Sequence, residues 1–432
     1  MQDHWEIGIT SAEVSDIGMR RTNNQDSYVT VLAKSRDRFN SHGHLFVVAD
    51  GMGAHAAGEL ASQLATESIS RNYFRLTSVT EKSFEGTLRD ANREIYTKGQ
   101  SNPEFHNMGT TASALILKSD GALIAHVGDS RVYRLRNDCL EQLTFDHSLV
   151  WEIETNPEIQ ANSWNGPIPK NVITRSLGPN PNVEIDIEGP FQIEESDRFI
   201  LCSDGLTGVV DDEEIGTLVS CLSAEDAAQV LVDLANLRGG PDNITVTVVN
   251  VGVKANELKH SLHLSETSGK QNMPAWPSYA ALLAILLTAF FAFLTITVAR
   301  QPFLGLSMIL SAASVCLGSI CLFDRWKAKK KNNVETKIPR GKAPYRSYDA
   351  RPSKELYERL GDTVAALRDA STEHNWLMEW DRINQYQEEG QKNIQDGKAD
   401  LAIHSQSHAI IEAMKQLREQ QDRAANDTSI DL

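Results

Sequence analysis

The chain has 432 residues, 41% hydrophobic and 23% charged, with five cysteines. That balance suits two or three globular domains and excludes collagen-like, wholly disordered and disulfide-scaffold chains. Forty-two basic against fifty-eight acidic side chains leave a net charge of −16, which repels polyanions and argues against nucleic acid as a partner.

Cys139, Cys202, Cys221, Cys316 and Cys321 contain no C-x-x-C pair, so they read as buried thiols of a reducing compartment. The opening MQDHWEIGITSAEVSD has no basic stretch followed by an apolar one, which predicts no cleaved signal and a cytoplasmic first domain. Up to Val253, short β-branched runs alternate with helical windows. The runs are HLFVVAD at 44–50, ALIAHVGD at 122–129, RFILCSD at 198–204 and NITVTVVNV at 243–251. Residues 56–74 and 83–98 carry apolar side chains at three- and four-residue spacing, the mark of helices with one buried face.

Residues 254–277 are polar and aperiodic, and read as a linker. No charged residue stands between Lys270 and Arg300, and a second uncharged run, 301–323, follows. The spacing predicts two membrane-crossing helices, 278–299 and 302–323, because about 20 apolar residues span a hydrocarbon layer. Residues 324–352 form a basic juxtamembrane linker, nine of whose Lys and Arg lie between 325 and 346 beside one acidic residue. Such a cluster marks the cytoplasmic side and attracts anionic headgroups, so both ends of the hairpin are expected to face the cytoplasm. Residues 353–432 read as a helical cytoplasmic module: Leu356, Leu360, Val364 and Leu367 share one face, and Ala402, Ile410, Ile411, Met414 and Leu417 mark a later helix after the turn Asp396-Gly397-Lys398. The two faintly resemble one tetratricopeptide-type hairpin. Trp376, Trp380 and Tyr386 are its apolar anchors, expected to recruit a partner or a second copy of the chain.

Four segments put aspartate beside glycine or a small polar residue at the end of an apolar run. They are GMRRTNNQD (18–26), VVADGMGAHAAGE (47–59), HVGDSRVYRL (126–135), and LCSDGL (201–206) with GGPDN (239–243). A strand-terminal Asp-Gly projects a carboxylate into a cleft, and the missing Cβ permits close backbone approach. Converging carboxylates repel unless cations lie between them, and hard ions with oxygen ligands, Mn²⁺ or Mg²⁺, suit them.

In order and spacing these segments, with TRSLG at 174–178 and the closing PDNITVTVV, resemble the bacterial form of the metal-dependent PPM/PP2C serine/threonine protein phosphatases over residues 7–252. The resemblance implies an α+β fold, a sandwich of two antiparallel β-sheets flanked by helices, within a phosphatase domain at 1–253. It implies hydrolysis of phosphoserine and phosphothreonine on proteins by a hydroxide bridging two metal ions, with a cognate Ser/Thr kinase system as counterpart. It makes Asp50 the bridging carboxylate and the Gly51 carbonyl a further ligand, Asp204 and Asp242 the remaining carboxylates of the first metal, and Asp129 with Asp204 the holders of a third ion. Asp26 supports the second metal through water, and Arg21 binds the substrate phosphate, with Arg20 the alternative if the local register differs.

Three positions depart from the family pattern. Gln25 replaces a common glutamate, which weakens the second metal; Met52 stands where eukaryotic members have histidine, leaving leaving-group protonation to metal-bound water or to His55; and Ala54 replaces a glycine. Residues 146–175 match the variable flap beside the active site, where Trp151 and Trp164 either pack on the domain or offer a docking surface. Two other functions fit the same residues: an inactive phosphoprotein-binding scaffold at the membrane, or a phosphatase narrowed to a sigma-factor regulatory protein.

Overall fold

The computed structural model of the chain describes residues 8–53, 56–155, 169, 172–252 and 341–428, the last eight by backbone alone. The two uncharged runs at 278–299 and 302–323, the linker at 254–277 and His55, Ala54 and Trp164 lie outside the described residues. Among the described residues no helix is long and apolar enough to cross a membrane.

The β-branched runs pair into two antiparallel sheets. The first orders its strands β1 (Thr10–Asp16), β11 (Ile244–Asn250), β10 (Arg198–Cys202), β7 (Arg131–Arg136), β8 (Cys139–Gln142) and β12 (Arg346–Asp349). The second runs β2 (Asp26–Val31), β3 (His44–Met52), β5 (Ala112–Lys118), β6 (Gly121–Val127) and β9 (Asp186–Phe191), with β4 (Gly109–Thr110) against the end of β3. Phe46, Val48, Leu115, Ile124, Val132, Phe199, Leu201 and Val249 fill the space between the sheets. Alternate residues of β3, Leu45, Val47 and Ala49, are buried on its other side under α2 (Ala57–Arg75) and α3 (Glu81–Ser101). Burial on both faces is why HLFVVAD is a continuous apolar run and not an alternating one. The α+β sandwich expected from the resemblance is present.

The outer face of the first sheet carries α6 (Asp212–Cys221) and α7 (Ala224–Leu237), which lie beyond the short α4 (Leu149–Thr155) and α5 (Asp204–Thr207) in the chain; α1 (Arg36–Ser41) precedes β3. Here the structure departs from the expected separation at 353. The described residues up to 252 and from 341 onward belong to one compact unit. Strand β12 pairs with β8 from Arg346↔Gln142 to Asp349↔Cys139 and becomes the edge of the first sheet. Behind it come α8 (Lys354–Glu373), α9 (Trp380–Gln395) and α10 (Ala399–Thr428). Leu356, Leu360, Val364 and Leu367 share one hydrophobic core with Ile215, Leu218, Leu231 and Leu234 of α6 and α7. Periodicity reported that these tail positions are buried, yet it could not say against what. Trp380 and Tyr386 also pack on this core, so these two anchors are engaged inside the chain, while Trp376 remains 38% exposed.

An ion pair crosses the same contact. Arg418 of α10 binds Asp233 of α7, whose carboxylate has no solvent exposure and also accepts from Gln229 at 3.0 Å. Burial outweighs the arginine and raises the Asp233 pKa to about 6. With its folded pKa above the unfolded value, Asp233 favours the fold at low pH and loses that contribution as pH rises through about 6. Removing a partner from a buried pair costs about 3–5 kcal/mol; Arg418 is 36% exposed, so solvent screening reduces this. Arg418→Ala is therefore expected to destabilise the unit by roughly 2 kcal/mol at pH 7.5 and by clearly less at pH 5, where Asp233 is protonated. Denaturant melts at the two pH values check it, and an equal loss at both would contradict the ion-pair account.

Candidate active site

Antiparallel pairing brings the acidic motifs to one end of the sandwich. Asp26 opens β2 and stands opposite Asp50 near the end of β3. Asp129 follows β6, Asp204 starts α5 directly after β10, and Asp242 precedes β11. The two Asp-Gly glycines are fixed by close packing. A Cβ on Gly51 would lie 2.1 Å from the Gly58 carbonyl oxygen, and one on Gly205 would lie 2.0 Å from that of Asn243. Any side chain there would push apart the segments that present Asp50 and Asp204.

Short polar side chains hold this end in place. Ser203 Oγ donates to Asp26 Oδ2 at 2.7 Å and accepts from Thr245 N at 2.9 Å. Thr111 Oγ1 accepts from Asp50 N at 2.9 Å and bonds Ser130 Oγ at 2.7 Å. Asn243 Nδ2 donates to the Ile17 and Asn23 carbonyls at 2.8 and 3.0 Å, while its Oδ1 accepts from Gln25 N at 2.8 Å. This asparagine ties the Arg21 loop to the Asp242 turn. Sequence reasoning missed Ser203, Asn243 and Thr111. Their signal was only adjacency, each lying next to a motif residue or opposite one in the sheet.

Burial and mutual repulsion raise the aspartates of this end together. Burial, together with the charges of Asp204 and Asp242 and against the Ser203 and Thr245 hydrogen bonds, pushes the Asp26 pKa up to about 7. Burial and then the Asp204 and Asp146 charges push Asp129 up to about 8. Asp50 is raised well above the usual carboxylate range by burial and by Asp26, Asp204, Asp129 and Asp242, and Asp204 is raised by burial and Asp242. Buried oxygens of Asp26, Asp129 and Asp204, in each case Oδ1, have no hydrogen-bond partner. Among the described residues no three or more His, Cys, Asp or Glu side chains are grouped closely enough to hold a metal ion. The donor chemistry nevertheless fits a hydrated hard divalent ion, which takes one or two carboxylates and keeps several waters.

Arg21 Nη2 donates to Asp242 Oδ2 at 2.6 Å with its side chain 47% exposed, which sets the guanidinium beside one of the aspartates expected to hold metal. Beside the cleft, the Arg131 that closes GDSR binds Asp146 through Nε at 2.9 Å and Nη2 at 2.7 Å. Its guanidinium carbon lies 5.8 Å from the Trp151 ring centroid, and that of Arg346 in the tail strand lies 4.0 Å from the same ring. Trp151 is 4% exposed, so it packs on the domain and presents no docking surface.

Comparison with known proteins bears on this arrangement directly. The profile of the family described as "Protein phosphatase 2C" matches residues 20–235. A putative protein phosphatase 2C-type of Streptococcus pyogenes is 37% identical over 244 residues, 55% of this chain and 95% of that relative. The serine/threonine phosphatase stp of Listeria innocua is 39% identical over 212 residues, 48% of this chain and 83% of its own. Among solved structures, the S. agalactiae serine/threonine phosphatase is 36% identical, covering 56% of this chain and 99% of that one with a TM-score of 0.49. The catalytic domain of PstP, solved with two manganese ions, is 32% identical, covering 57% and 99% with a TM-score of 0.48. The chain belongs to the protein phosphatase 2C family. It is a protein serine/threonine phosphatase by class.

Proposed function

We propose that the chain is a membrane-anchored, metal-dependent phosphatase acting on phosphoserine and phosphothreonine of proteins. The observation that carries the metal reading is the buried carboxylate cluster with unpartnered oxygens on Asp26, Asp129 and Asp204. Asp50, Asp204 and Asp242 would hold Mn²⁺ or Mg²⁺ together with the Gly51 carbonyl, with Asp26 supporting through water and Asp129 serving a third ion. Bound there, such ions activate water and neutralise phosphoryl charge.

The protein's own part is to orient the substrate. Arg21 offers a planar donor fork that matches phosphate oxygens. In the structure the fork rests on Asp242 at 2.6 Å, so phosphate engages a guanidinium that is already aimed at the cleft. Arg21→Ala is expected to lower kcat/KM for a phosphothreonine peptide by about 30–100-fold, mostly through KM, as loss of a hydrogen bond to a charged group implies. Steady-state kinetics check it, and an unchanged KM would remove Arg21 from the phosphate site.

Anchoring rests on the uncharged runs 278–299 and 302–323 followed by nine basic residues. Carbonate-washed membranes should retain the full chain and release a chain lacking 278–323; retention of both would refute a hairpin anchor. The expected substrates are cytoplasmic phosphoproteins of a cognate kinase system. The five aspartates and the glycine assigned to the metal site by the family resemblance are all present in the sequence, which favours an enzyme over an inactive scaffold.

A further inference from the structure

Helices α8 and α9 leave between them an open groove of about 450 Å³, with α10 as its floor. Gln406 of α10 lines it, is 1% exposed, and has an amide nitrogen without a hydrogen-bond partner. A buried amide left unmade is costly, so an acceptor that enters the groove and bonds this nitrogen gains a full hydrogen bond. Above it stands Gly361, inside the 20-residue helix α8. A Cβ there would meet only the Gln406 amide nitrogen, at 3.9 Å, an ordinary contact. Packing does not demand this glycine, and a mid-helix glycine is unfavourable relative to alanine. Its effect is to leave no side chain of α8 over Gln406. The rim carries Asp362 and Glu388, with Glu358 held by Lys354 at 2.9 Å, and none of the residues lining the groove is Lys or Arg.

We infer that this groove docks a short extended segment of another protein bearing lysine or arginine. The Gln406 amide bonds a backbone peptide group, and the cationic side chain lies between Asp362 and Glu388. The unpartnered amide nitrogen is a donor, which matches the carbonyl oxygen of a peptide unit. The acidic rim selects a basic side chain and rejects an acidic one. The docking surface is on the tail side of the unit and uses none of the residues assigned to the catalytic cleft, so it is a place to hold a partner while the cleft works on phosphate.

Fluorescence anisotropy on the full chain tests this, with fluorescein-labelled decapeptides of alternating Lys and Ala or alternating Glu and Ala as probes. The Lys-Ala probe should bind, and the charge swap D362K/E388K should weaken it by at least about tenfold. Gly361→Leu, which fills the groove with a good helix former, should do the same without loss of fold, and Gln406→Met should weaken it by a smaller factor. All variants should retain hydrolysis of p-nitrophenyl phosphate, which separates this inference from the phosphatase reading. The inference is overturned if the Lys-Ala probe fails to bind at about 1 mM, if the charge swap and Gly361→Leu leave its affinity unchanged, or if the Glu-Ala probe binds equally well.

Discussion

Asp50→Asn is expected to lower kcat by at least about 10³-fold while leaving the protein folded and, without divalent ions, more heat-stable than the wild type. Losing a ligand that holds the metal forfeits several kcal/mol of charge stabilisation, and each 1.36 kcal/mol is a factor of ten. The stability gain has a separate cause. Burial and four neighbouring aspartates hold the Asp50 pKa well above the usual carboxylate range. Its ionised form therefore opposes folding once the pH exceeds the unfolded value, and a neutral isostere removes that opposition. Added Mn²⁺ should reverse the order, raising Tm of the wild type and scarcely that of Asp50→Asn. Calorimetry with and without Mn²⁺, beside initial rates, checks both halves. A variant as active as the wild type, or one that melts lower without metal, would contradict the assignment.

The second large effect concerns the tail. Leu360→Ala is expected to cost about 2–5 kcal/mol, the usual range for truncating a fully buried leucine, and to lower the melting of the phosphatase sandwich itself. Leu360 has no solvent exposure and lies in the core formed with α6 and α7. A chain ended after Val253 would lose α8 to α10 and β12 together, uncovering Ile215, Leu218, Leu231 and Leu234 and freeing the edge of β8. Exposed apolar faces and an open strand edge favour aggregation. Such a chain should be recovered as aggregate or at much reduced Tm. Two separate transitions for the full chain, with Leu360→Ala moving only one of them, would show that tail and sandwich fold independently.

What sequence could and could not reveal follows from the range of each signal. Asp50, Asp204 and Asp242 stand beside glycine or asparagine at strand ends, a local pattern that is complete within a few residues. Motif spacing favours Arg21 over Arg20 as the phosphate-binding residue, and in the structure Arg21 contacts Asp242 at 2.6 Å. Ser203, Asn243 and Thr111 carry no pattern of their own, because their work depends on which segments face them across the sheets. Strand β12 was read as part of a basic linker, since RSYD is short and polar and becomes a strand only beside the free edge of β8. The helical face from Leu356 to Leu367 was legible as apolar, but a periodicity names no partner, so the tail read as a separate module. Charge partitions in the same way: residues 1–253 hold 19 basic and 37 acidic side chains. In the structure, part of that excess is the aspartate cluster at the cleft.

Release of inorganic phosphate from a phosphothreonine peptide by the full chain, followed with Mn²⁺ and then with excess chelator, tests the central claim most directly. Turnover with Mn²⁺ that stops on chelation, returns on re-addition of metal and is absent from Asp204→Asn is the predicted result. Turnover that persists in chelator, or equal rates for wild type and Asp204→Asn, would contradict a metal-dependent phosphatase built on these aspartates.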